Sequence, residues 1–203
     1  MGQIALPLAA APGASSGRVV VGSANQHVID ALQHPQSWPF RTAVLAGPAR
    51  SGKSLLAGWF AENSSGEVID DAPQLDETVL FHRWNRAQEN ATPLLLVGGA
   101  GPWTIRLPDL ASRLGAALHL EIGVPDDAML ADLIAAHAEA RGLALGPDAA
   151  AYLVPRIERS HLAAEQVVAA IDRISLERKV PPTLGIWRDA LEGLSGESQP
   201  RLL

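Results

Sequence analysis

Eight consecutive residues, Gly47-Pro48-Ala49-Arg50-Ser51-Gly52-Lys53-Ser54, match the pattern Gly-x-x-x-x-Gly-Lys-Ser/Thr in full. Its glycines let the backbone curl until successive N–H groups face inward at phosphate oxygens. A helix beginning at Lys53 adds its positive N-terminal end. Lys53 would reach the β- and γ-phosphates, and Ser54 would offer its hydroxyl to Mg²⁺. The ligand implied is ADP or ATP with Mg²⁺. A plain Gly-Pro turn before a helix would satisfy part of the pattern without function. The buried strand before it and the helix after it favour the phosphate reading.

Asp70 and Asp71 end a short apolar stretch, Gly66-Glu67-Val68-Ile69. Downstream of a phosphate loop, carboxylates at a strand end hold Mg²⁺ and polarise water. Asp70 is then the metal-side group and Asp71 the water-side one. Taken alone, the pair is equally a solvated turn. Two arginines stand at helix ends. Arg113 closes Leu110-Ala111-Ser112-Arg113-Leu114, and Arg159 lies in Arg156-Ile157-Glu158-Arg159-Ser160. Either is chemically able to meet a phosphate. Either is as well explained as an exposed arginine favoured at a helix C-terminus or junction.

These groups need elements to place them. Arg41 to Gly47 reads as a buried strand, bounded by Pro39 and by the Gly-Pro turn. A helix follows over Lys53 to Asn63. Gly66 to Asp71 is a short strand, Leu75 to Asn90 an amphipathic helix with Leu75, Val79, Leu80, Trp84 and Ala87 near helical spacing, and Pro93 to Val97 a third strand. Leu107 to Leu114 reads as a helix and Leu118 to Ile122 as a fourth strand. Upstream, Ser23 would cap a helix from Ala24 to Leu32. Beyond Pro125 only helices are expected: Asp126 to Arg141, Pro147 to Glu158, Ser160 to Lys179 and Leu184 to Leu194. Alternating strands and helices, then helices alone, predict a parallel α/β domain over 18–124 and a helical domain over 125–195. Residues 1–17 read as a flexible arm and 196–203 as a tail.

Composition narrows the partners. The 203-residue chain is 47% hydrophobic and 19% charged, as globular chains are. Its net charge of −6 supplies no overall field for nucleic acid, so direct sequence-specific DNA or RNA binding is not expected. With no cysteine, thiolate metal sites and thiol nucleophiles are excluded. The six histidines (27, 34, 82, 119, 137, 161) show no metal-ligand spacing. No apolar run approaches a membrane span, and the start lacks a basic leader region, so a cytoplasmic protein is expected. Within the arm, Gln3-Ile4-Ala5-Leu6-Pro7-Leu8 is an apolar hexapeptide. It is either a sticky end or a short linear motif that docks in a groove.

In their order, several blocks resemble the AAA+ module of the replication initiator DnaA, and most of all its short Hda relatives of alphaproteobacterial type. The blocks are Val19-Val20-Val21-Gly22-Ser23-Ala24-Asn25, the phosphate loop, Ile69-Asp70-Asp71-Ala72, Leu80-Phe81-His82-Arg83-Trp84-Asn85, and Leu107-Pro108-Asp109-Leu110-Ala111-Ser112-Arg113-Leu114. The resemblance spans residues 3 to 191. It implies an AAA+ P-loop NTPase fold, a short parallel sheet with flanking helices followed by a small all-helical lid. It also implies a negative regulator of replication initiation, which binds ADP and the DNA polymerase sliding clamp and stimulates ATP hydrolysis on DnaA. Arg113 matches the arginine finger acting in trans, and an exposed side chain is expected there. Arg159 stands near the lid arginine that senses the chain's own nucleotide. Val20, Val21 and Gly22 match the stretch against adenine. Gln3, Ile4, Leu6, Pro7 and Leu8 match the clamp-binding peptide. A monomer or homodimer is compatible with all of this.

Three departures qualify the resemblance. Only sixteen residues separate Lys53 from Asp70, so the usual second strand and its helix are missing and a four-stranded sheet is expected. Strand Leu94-Leu95-Leu96-Val97 runs into Gly98-Gly99, where the family places a polar residue near the γ-phosphate, so weak intrinsic ATPase activity is expected. After the lid helices, no counterpart of DnaA's DNA-binding domain is expected. Rival readings are an autonomous small P-loop ATPase or kinase, and a clamp-binding module with a vestigial nucleotide site.

Overall fold

The computed structural model describes residues 19–197. They divide into two compact units that part between Gly123 and Val124.

The first unit is built on four parallel strands, β1 (Thr42–Ala46), β2 (Glu67–Ile69), β3 (Leu94–Val97) and β4 (Leu118–Glu121), in the order β2-β3-β1-β4. The central pair reads Thr-Ala-Val-Leu-Ala and Leu-Leu-Leu-Val because both faces of β1 and β3 are covered. Successive side chains alternate between two cores. Ala43, Leu45, Leu95 and Val97 pack with α1 (Gln26–Leu32) and α2 (Lys53–Asn63), through Val28, Leu32, Leu56 and Phe60. Val44, Leu94 and Leu96 pack with α3 (Glu77–Glu89) and α4 (Pro108–Gly115), through Leu80, Ala87, Leu110 and Leu114. Helices thus change face where the strand order reverses beside β1, and a crevice opens there at the carboxyl ends of the strands.

The expected reduction of the sheet is present. After α2, three residues lead directly to β2. Gly66 makes this link possible, because a Cβ there would stand 2.4 Å from the buried Phe60 ring.

Several boundaries differ from the sequence reading. Helix α1 starts at Gln26, not Ala24, and Ser23 does not cap it. Asn25 occupies the N-cap position, but its side chain turns back: Oδ1 accepts from Gly22 N at 2.9 Å and Nδ2 donates to Val20 O at 2.8 Å. Helix α3 excludes Leu75 because Asp76 caps it, accepting from the Thr78 and Val79 amides. Val79, counted on its apolar face, is exposed, while Leu80 and Ala87 are buried.

The second unit contains α5 (Asp127–Ala140), α6 (Pro147–Leu153), α7 (His161–Arg178) and α8 (Leu184–Glu197). Asp126 and Ser160 cap α5 and α7, accepting from Met129 N and Ala163 N. Helix α6 stops five residues before the expected Glu158. Pro155 has no N–H to continue the ladder, and Val154–Arg156 tightens into a 3-10 turn. Helix α8 continues to Glu197, past the expected end at Leu194. The core of this unit joins Leu130, Ile134, Leu153, Val167, Val168 and Ile171 with Ile186 and Ala190. Among the described residues, no helix is long and apolar enough to cross a membrane.

Candidate nucleotide-phosphate site

The loop between β1 and α2 has the curvature that the motif anticipates. A Cβ on Gly47 would lie 3.0 Å from Ile122 Cβ and 3.2 Å from Ser51 Oγ, so any larger residue would crowd both. Arg50 (φ 63) and Gly52 (φ 87) both take the left-handed conformation, which turns successive amides inward ahead of α2. Pro48 and Ala49 form the outer curve, and Ser54 is exposed in the first turn of α2.

Two side chains here are poised for a ligand. Lys53 Nζ donates to Gly47 O at 2.9 Å and to Pro48 O at 2.7 Å, folded back over the loop. Burial pushes its pKa below the ordinary 10.5, and the fields of Asp70 and Asp71 partly restore it. Ser51 Oγ is buried and has no hydrogen-bond partner. A buried hydroxyl left unpaired is costly, and a phosphate oxygen or its bound water is the kind of partner that satisfies it. The tight Gly47 curve, the unpaired Ser51 hydroxyl and the ammonium therefore fit a polyphosphate.

Asp70 and Asp71 follow β2 and are exposed, with Asp70 Oδ1 accepting from Asp71 N at 3.0 Å. No group of three metal-binding His, Cys, Asp or Glu side chains occurs among the described residues. A Mg²⁺ ion at Ser54 and Asp70 would thus be held jointly with phosphate oxygens. Gly98, at the end of β3, gives its amide to Leu45 O at 2.8 Å and brings no side chain to the crevice. Asn25 was not foreseen as a site residue. Buried just before α1, it pins Val20 and Gly22, and in the sequence it stood only as the last residue of the block 19–25.

Arg113 departs from expectation. It is half-buried, not exposed. Its guanidinium carbon lies 4.4 Å from the Phe81 ring centroid and 4.4 Å from that of Trp84, and Nη1 donates to Asn85 Oδ1. Arg159 lies in the bend just before α7 and pairs with Asp127 at 2.8 Å, both side chains exposed. Gln3, Ile4, Leu6, Pro7 and Leu8 lie outside the described residues. A cavity of about 750 Å³ also opens beside Asp71 and Gly98, walled by Val44, Trp103, Ile105 and Leu114. Its walls come from distant parts of the chain, and no motif announces it.

No family model matches the chain. Among solved structures, it is similar to domain III of the Thermotoga maritima replication initiation protein DnaA, with TM-score 0.69 and 13% identity over 85% of this chain and 93% of that one. A replication initiator DnaA bound to AMPPCP and single-stranded DNA matches with TM-score 0.60 and 17% identity over 78% of this chain and 65% of that one. A Thermotoga maritima RuvB variant matches with TM-score 0.63 and 19% identity over 86% and 70%. At such identities the likeness is one of fold, and the chain has the fold of a DnaA-like AAA+ P-loop domain with a four-stranded sheet.

Proposed function

We propose that this protein binds ADP, or ATP, with Mg²⁺, docks on the DNA polymerase sliding clamp through its first eight residues, and stimulates ATP hydrolysis on DnaA. The reading rests on the family resemblance, and one observation carries it in the structure. At the end of α4, Arg113 presents a guanidinium fixed by neutral groups, with no carboxylate paired to it among the described residues. Such a cation remains available to an anion brought by another molecule. In this role it stabilises the charge that builds on the phosphoryl group during transfer. The decisive experiment measures hydrolysis of DnaA-bound ATP with and without this protein and DNA-loaded clamp. Acceleration that requires both is expected. No acceleration refutes the reading.

Two outcomes follow from the chain's own chemistry. Intrinsic ATP turnover is slow, because Val97-Gly98 offers no side-chain donor to orient water, and losing one such contact costs about a hundredfold or more. Turnover by the protein alone near the roughly ten per second of an ordinary enzyme would contradict this and favour the autonomous ATPase. Chromatography of the denatured protein's supernatant separates a regulator carrying ADP from a module with a vestigial site.

A chain starting at Ser16 loses clamp binding and keeps its fold and its ADP. Pro7 stiffens the hexapeptide and lowers its ordering cost, Gln3 gives a directional hydrogen bond, and Leu6 and Leu8 fill an apolar pocket. Co-elution of the shortened chain with clamp is the result that removes the motif from the account.

A further inference from the structure

Phe81, Trp84 and Asn85 lie at i, i+3 and i+4 on α3, so they share one face of that helix. All three meet the Arg113 guanidinium, which comes from α4. The two ring contacts fix its position and the amide oxygen holds one N–H. An arginine that only ties helices together is well served by a carboxylate. Asp109, one turn earlier on α4, is at the spacing of a helical ion pair, yet no ion pair joins it to Arg113. Glu67 pairs instead with Arg83 and Arg86 of α3. Among the described residues, the positive charge of Arg113 is therefore held in place by neutral groups, with no carboxylate paired to it.

Trp84 carries a second signal. Its indole Nε1 is buried and has no hydrogen-bond partner. A phenylalanine or leucine would cover the same surface without stranding a donor, so packing alone does not account for tryptophan. Its electron-rich face, the strongest cation–π partner among the side chains, does.

We propose that Trp84 is a positioning residue for Arg113. With Phe81 and Asn85, it pre-organises the guanidinium for an anion on another molecule, a polyphosphate in transfer. This rests on the trans-acting role of Arg113 proposed above. Holding a flexible side chain in its working geometry removes ordering from the reactive step. The benefit belongs to the maximal rate and not to the strength of association.

The test compares wild type with Trp84→Leu, Trp84→Phe and Arg113→Ala by two readouts. The first is the rate at which phenylglyoxal modifies Arg113, followed by peptide mass spectrometry on the full chain without partner. The second is clamp-dependent hydrolysis of DnaA-bound ATP, split into maximal rate and half-saturating concentration. Trp84→Leu is expected to speed modification roughly two- to fivefold, the factor matching one lost cation–π contact. It should also lower the maximal rate about ten- to a hundredfold, with the half-saturating concentration little changed. Trp84→Phe, which keeps a ring, should recover most of the rate. If Trp84→Leu melts too low to assay, Asn85→Ala replaces it under the same two readouts. Unchanged modification overturns the inference. So does faster modification with an undiminished maximal rate while Arg113→Ala abolishes stimulation. If Arg113→Ala itself stimulates like wild type, the trans-finger reading fails and this inference with it.

Discussion

Arg113→Ala is expected to reduce stimulated hydrolysis on DnaA about a thousandfold or more, the worth of an arginine finger supplied in trans. Clamp binding and ADP binding should stay at wild-type strength, since Arg113 stands on α4 and belongs to neither the N-terminal peptide nor the loop 47–52. Stability does not escape untouched. The half-buried guanidinium lies over two aromatic rings, each contact worth roughly 0.5–1 kcal/mol, and its loss strands Asn85. In a chain of this size each kcal/mol moves Tm by about 2–4 °C, so a drop of a few degrees is expected and the fold survives at assay temperature. Arg113→Lys should rescue little. An ammonium can sit over the rings, but it cannot reproduce the planar two-point contact to phosphate oxygens. If Arg113 merely closes α4, both variants stimulate DnaA as well as wild type, and the regulatory reading is lost.

What the sequence made legible follows a physical divide. β1 and β3 are buried on both faces, so they appear as unbroken apolar runs and were readable to within a residue. The phosphate loop was readable because most of its constraints are local: Gly47 against Ser51, the left-handed Gly52, and Lys53 at a helix start. The missing strand could be counted, since sixteen residues hold only α2, a three-residue link and β2. What stayed hidden depends on side chains turning where spacing does not point. Asn25 faces back to Val20 and Gly22 instead of capping α1 in the usual way. Asp76 captures the start of α3 from Leu75, whose apolar character had suggested that the helix begins there. Arg113 looked exposed because its three partners lie 28 to 32 residues earlier. The block from Leu80 to Asn85 was visible as a resemblance, but its contact with Arg113 required α3 and α4 to be packed together.

Lys53→Met is expected to abolish detectable ADP binding in calorimetry while leaving the nucleotide-free fold near wild type. The two halves of this expectation come from opposite terms. Without ligand, Lys53 sits partly desolvated, its pKa pushed below 10.5 by burial, and only the carbonyls of Gly47 and Pro48 and the fields of Asp70 and Asp71 compensate it. A depressed lysine pKa means that the charged form is disfavoured by folding. This cost is present in full below the folded pKa, and it disappears as pH rises from the folded pKa through the unfolded one. Methionine keeps the stem and removes the charge, so the free protein loses two hydrogen bonds and a desolvation penalty together, and Tm moves little. With nucleotide the balance reverses. The phosphates supply the anion that the buried ammonium lacks, and charge-assisted bonds to it are among the strongest a side chain makes. Wild type at a hundred times its dissociation constant gains about 2.7 kcal/mol from ADP, which is roughly a 5–10 °C rise in Tm. The Lys53→Met protein should show no such rise at the same ADP concentration. Retention of wild-type affinity, or of the full ADP-induced rise in Tm, would remove the phosphate site from residues 47–54.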